Sequence, residues 1–117
     1  MDALEVTCYK DVLDMTKTEH LLTCLMEECA EIQKAAAKAL RFGLDDHHPD
    51  TPGVTNADEI AREYIDLLAI IEMLREESII PMLASPQMVQ AKKDKVLKYM
   101  AYARARGVLV QVEGSNG

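Results

Sequence analysis

The chain has 117 residues, 49% of them hydrophobic, with 13 Lys+Arg against 20 Asp+Glu and a net charge of −7. That length predicts one domain spanning 1–117, with a core over about 16–107 and a flexible end over 108–117. The acidic balance disfavours nonspecific nucleic-acid binding, which needs a basic surface, and the longest apolar run, "LLAII", is far too short to cross a membrane.

The opening "MDALEVTCYKDVLDM" carries acids early and has no apolar core, so no secretory leader is expected. Cys8, Cys24 and Cys29 are an odd number without metal-ligand spacing and read as buried reduced thiols of a cytoplasmic protein. One Phe, four Tyr and no Trp leave a core of Leu, Ile, Met and Ala, which suits helices. Residues 1–15 suggest a short helix. The first long helix starts near Thr16 or Thr18, where Thr16-x-x-Glu19 fits a capping box. Leu21, Leu22, Leu25, Cys29, Ile32, Ala36 and Leu40 follow a helical period, and Gly43 supplies the stop. "LDDHHPDTPGVT" is a loop, long enough for a lid or a flexible crossover. Its His47-His48 pair has no partner ligand nearby and reads as a solvated loop feature rather than a metal site.

The second helix opens at Asn56, with Asn56-x-x-Glu59 as a box-like cap, and runs to about Glu77. Its middle, "YIDLLAIIEML", is apolar on nearly every side, and such a helix is buried on every side. So short a chain can hardly surround it, which predicts a second subunit packed through a two-fold interface. Pro81 interrupts "SIIPMLASPQMVQ". Ser85 then caps a third long helix with Pro86 at its first position, ending at Arg106 and Gly107. The fold class is therefore all-α: a bundle of three long helices plus short ones, assembled as a dimer or tetramer.

Glu28 and Glu31 stand three positions apart, so on a helix both reach one point in space. Glu63 and Asp66 repeat the spacing on the second helix. Four facing carboxylates repel, burial makes this worse, and a divalent cation is the simplest compensation. All-oxygen ligands select hard ions, Mg²⁺ or Mn²⁺, while a di-iron bundle would use Glu-x-x-His pairs. The bland alternative is a solvated face with intrahelical partners: Lys34 for Glu27 or Glu31, and Arg62 for Glu59. One pair alone fits that alternative. Two pairs, with Asp66 directly before "LLAII", argue against it.

"EECAE" (27–31) followed by "EYID" (63–66) resembles the E-E-x-x-E … E-x-x-D signature of the MazG-like all-α nucleoside triphosphate pyrophosphohydrolases. The likeness covers about residues 18–106, and "KALRFG" and "KVLKYMAYARARG" look like the small phage and bacterial members. The spacer between the two halves is longer than is usual there. The resemblance implies Mg²⁺-dependent hydrolysis of a nucleoside triphosphate to monophosphate and pyrophosphate, with Glu28, Glu31, Glu63 and Asp66 as metal ligands. It leaves Glu27 beside them, holding a water. The general base is Glu27 or Glu31. Lys38, two turns after Glu31, and Arg41 are candidate phosphate-binding cations on the first helix. On the third, Lys92, Lys95, Tyr99, Tyr102 and Arg106 form a stripe, and Lys95 and Tyr99 fall where the family tends to place phosphate or sugar contacts. Val96, Leu97, Met100 and Ala103 are expected to pack elsewhere. Phe42 suits either base stacking or a packing plug. The rival functions are a non-catalytic helical oligomeric adaptor and phosphoribosyl-ATP hydrolysis.

Overall fold

The computed structural model describes residues 15–81 and 85–110, so the short helix expected within 1–15 and the flexible end beyond 110 lie outside it, apart from Met15. The described residues hold three helices and no strand: α1 (Lys17–Phe42), α2 (Asn56–Glu76) and α3 (Pro86–Ala105). They belong to two units, one within 1–81 and one within 82–117.

In the first unit, α1 and α2 form an antiparallel hairpin. Thr16 caps α1, its hydroxyl oxygen accepting from the Glu19 N–H at 3.1 Å. At the other end Gly43 adopts φ 103°, a conformation that L side chains rarely adopt, and its N–H closes onto the Ala39 carbonyl. The least exposed positions of α1 include Leu21, Leu25, Glu28, Ile32, Ala35 and Ala39, spaced alternately four and three. Those of α2 include Asn56, Ile60, Glu63, Leu67, Ile70 and Leu74, with the same alternation. This is the seam of two helices packed lengthwise. Buried within it are Leu21, Ala35, Ala39 and Leu74, of which Leu74 alone has no exposure. The seam corrects the expected apolar face of α1: Leu40 is 89% exposed and Leu22 and Cys29 also face outward, so the Cys29 thiol is not buried and that of Cys24 only partly, while Ala35 and Ala39 are buried instead.

The start of α2 also differs from expectation. Thr55 is the cap, in a reciprocal box with Asp58, and the Thr55 backbone N–H donating to the Asp58 carboxylate, with the Thr55 hydroxyl beside it, holds that carboxyl below its ordinary pKa. Asn56 has another task. It is 3% exposed, the one buried polar residue among those described, and its side-chain amide donates to the Gly43 carbonyl at 2.8 Å. The Asn56 and Ala57 N–H groups bond to the Asp46 and Leu44 carbonyls, and His47 bridges Thr55. The loop expected as a lid or free crossover is thus tied down to both helix ends. At the far end of the hairpin Lys17 pairs with Glu77.

The prediction that α2 is buried on every side does not hold within the protomer. Tyr64, Ile65, Leu68 and Met73 are exposed. After Glu76 the chain turns through Ser78 at φ 57°, before Pro81. In the second unit Ser85 caps α3 and Pro86 occupies its first turn, as expected, and Gly107 at φ 79° ends it. No described residue of α3 is buried. Val96 and Leu97, expected to pack, are exposed, and Val96, Met100 and Ala103 line one hollow of about 460 Å³ with Lys92, Lys95 and Tyr99 rather than facing away from them.

Replacing Asn56 with Ala leaves the Gly43 carbonyl without that donor. The expected loss is about 1–3 kcal/mol of stability, read as a lower urea midpoint with an unchanged slope.

Candidate metal centre

The seam decides which acids meet. Eleven residues separate Lys17 from Glu28 on α1, and eleven separate Glu77 from Asp66 on α2. Eleven residues make about three full turns, so the surface that joins Lys17 to Glu77 returns three turns later to join Glu28 to Asp66. Glu28, Glu63 and Asp66 each bring a carboxylate oxygen to within 4.8 Å of the other two. Glu28 and Glu63 are half-buried seam positions, and Asp66 is exposed at the edge.

The donor set fits a hard divalent cation. Three carboxylate oxygens within 4.8 Å of one another are near enough to share one such ion. Three carboxylates also leave positions open for water or a phosphate oxygen. Burial pushes the Glu63 carboxyl above its ordinary value of 4.5, and the negative charges of Glu31, Asp66, Glu28 and Glu59 add to the effect. No ion pair or side-chain hydrogen bond among the described residues engages Glu28, Glu31, Glu63 or Asp66. The solvated-face alternative is met only at Glu59, which lies 3.9 Å from Arg62 across an exposed contact of little energetic weight. Lys34 pairs with neither Glu27 nor Glu31.

Glu31 stands apart from the converged three. It is exposed and lines an adjoining hollow of about 130 Å³ with Lys34, Lys38, Glu59 and Glu63. Glu27 is exposed and lines neither this hollow nor the triad. Lys38 is brought to the site, lining this hollow and the next one toward the loop, which it shares with Phe42, His47 and His48. Arg41 is not brought there, because its guanidinium lies over the Phe42 ring, 4.8 Å from the centroid. Lys95 and Tyr99 belong to the second unit, on the hollow described above. His47 and His48 join no cluster of metal-ligating groups among the described residues. Sequence reasoning missed Glu59 and Lys34 as neighbours of Glu63. Glu59 stands one turn before Glu63 on α2 and Lys34 directly precedes the buried Ala35 on α1, so each borders the seam without lying on it.

Comparison with protein-family models, curated proteins and solved structures gives no significant match to any of them.

The raised Glu63 carboxyl has a definite sign in stability. A folded-state value above the unfolded one means that stability falls as pH rises from about the ordinary 4.5 through the raised value, and the penalty persists above it. Glu63→Gln removes that penalty. In the presence of a chelator the variant is expected to melt above the native protein at pH 7 and level with it near pH 4, as thermal unfolding at the two pH values would show.

Proposed function

We propose that this chain is a Mg²⁺-dependent pyrophosphohydrolase, with Mn²⁺ as a substitute ion, that splits a (deoxy)nucleoside triphosphate into the monophosphate and pyrophosphate. Its setting would be cytoplasmic nucleotide-pool control or housecleaning. The observation that carries the reading is the convergence of Glu28, Glu63 and Asp66 from two helices, half-buried in part and in no ion pair among the described residues. The likeness of "EECAE" and "EYID" to the MazG-like signature supports it from the sequence side.

In this reading Glu28, Glu63 and Asp66 hold the metal. When bound, Mg²⁺ supplies charge neutralisation at phosphate oxygens and a water of lowered pKa. Glu31, outside the triad but next to Glu63, keeps a free carboxylate oxygen able to accept a proton from water. It is better placed for this than Glu27, which lies outside the hollow. Lys34 and Lys38 offer positive charge to a polyphosphate lying along that hollow. Arg41 remains a candidate for an outer contact with substrate.

The working unit in this reading is a homodimer or homotetramer. Tyr64, Ile65, Leu68 and Met73 expose apolar surface on the same helix that carries two of the acids, and a second copy of the chain would cover it. Light scattering is expected to give a mass of two or four chains. A monomer mass would overturn the assembly.

With Mg²⁺ and a panel of nucleoside and deoxynucleoside triphosphates, pyrophosphate rather than orthophosphate is expected among the products. Glu28→Gln and Asp66→Asn are each expected to lower the rate by about 100-fold or more while the circular dichroism spectrum stays native. Wild-type rates in either variant would remove the metal assignment, and no turnover of any nucleotide would leave an oligomeric adaptor as the better reading.

A further inference from the structure

Beyond the acids, the loop between α1 and α2 forms another hollow, of about 170 Å³, and Lys38 lines both it and the hollow beside Glu63. Phe42 is one of its walls and is 53% exposed, so it is not a packing plug. Arg41 holds the ring by a cation–π contact, leaving a fixed aromatic surface open to solvent. His47 and His48 supply a second wall. The His47 Nδ1 lies 3.0 Å from the His48 carbonyl oxygen, which only accepts, so in the neutral ring Nδ1 carries the proton and Nε2 is an acceptor. The His48 Nδ1 accepts the Asp50 N–H at 3.1 Å, so its neutral ring carries the proton on Nε2, a donor. The two rings, on neighbouring residues, therefore carry one acceptor and one donor at Nε2.

This combination of an aromatic platform, a paired donor and acceptor, and a lysine on the side of the acids suits a flat heteroaromatic ring attached to an anion. The volume is below the range of drug-sized pockets and suits a single ring system. Asn56, on its floor, and Glu63 stand seven residues apart on α2, about 10 Å along the axis. A sugar and a short phosphate chain bridge a gap of that order. We propose that this hollow seats the base of the nucleotide, with Phe42 as its stacking surface, His47 and His48 reading its edge, and Lys38 holding the phosphates that lead to the acids. The phosphate end rests on the hydrolase reading above; the base seat is tested apart from it.

The test is calorimetric titration of the full chain, with Mg²⁺, by α,β-methylene analogues of ATP, GTP, CTP and UTP, which cannot be split at that bond. Inorganic tripolyphosphate serves as the ligand without a ring. The best analogue is expected to bind at least about ten-fold tighter than tripolyphosphate, within the roughly 5- to 150-fold range of base–aromatic stacking. Phe42→Ala should remove that advantage and leave tripolyphosphate binding unchanged, and Phe42→Trp should restore it. Unchanged analogue affinity in Phe42→Ala, an equal loss for both ligands, or a wild type that binds no analogue tighter than tripolyphosphate would each overturn the base seat. Pyrophosphate release from the natural nucleotides is followed separately. A wild type that releases none yet keeps the Phe42-dependent preference refutes the hydrolysis and retains the seat.

Discussion

Two glutamates occupy the seam of a helical hairpin, and everything else in the first unit is arranged around that fact. Glu28 on α1 and Glu63 on α2 stand where the four-three alternation would otherwise place an apolar side chain. A like charge from each helix at the same level pushes the helices apart, and Asp66 adds a third charge. The hairpin must therefore be held from its ends. At one end the buried Asn56 amide closes on the Gly43 carbonyl, and at the other Leu74 packs without any exposure. The Lys17–Glu77 pair near Leu74 is exposed and adds little.

This arrangement sets stability against function. Among the described residues the buried apolar side chains of the hairpin are few and two of them are alanines, so the transfer energy available to oppose the repulsion is modest. Binding of a cation by the folded state alone would turn the same cluster into a source of stability.

Chemistry changes in order along the groove between α1 and α2. Glu28 and Asp66 come first, then Glu63 with Glu31, then Lys34 and Lys38, and finally Phe42 with the two histidines of the loop. Acids able to hold a cation, lysines able to hold an anion and an aromatic end follow one another over a few helical turns. A substrate with the same order of groups would lie along the groove without bending back. The loop is tied by backbone hydrogen bonds to the very helix ends that set the register, so the aromatic end stays fixed relative to the acids.

The sequence by itself determined the three helices and most of their ends. Thr16, Gly43, Ser85, Pro86 and Gly107 act within a turn of the chain, and capping is a local interaction, readable one segment at a time. It also determined that two pairs of acids recur at a spacing of three, each pair on one side of its own helix. Only the tertiary structure decided which acids share a point in space. Glu31 is spaced from Glu28 as Asp66 is from Glu63, yet Glu31 falls into the neighbouring hollow while Asp66 completes the triad. The same holds for Asn56, which resembles a cap in the sequence but is the buried latch, and for Phe42, whose exposure no local pattern reveals. These outcomes depend on how far one helix is rotated and slid against the other, and that is fixed by side chains meeting across the seam from positions far apart in the chain.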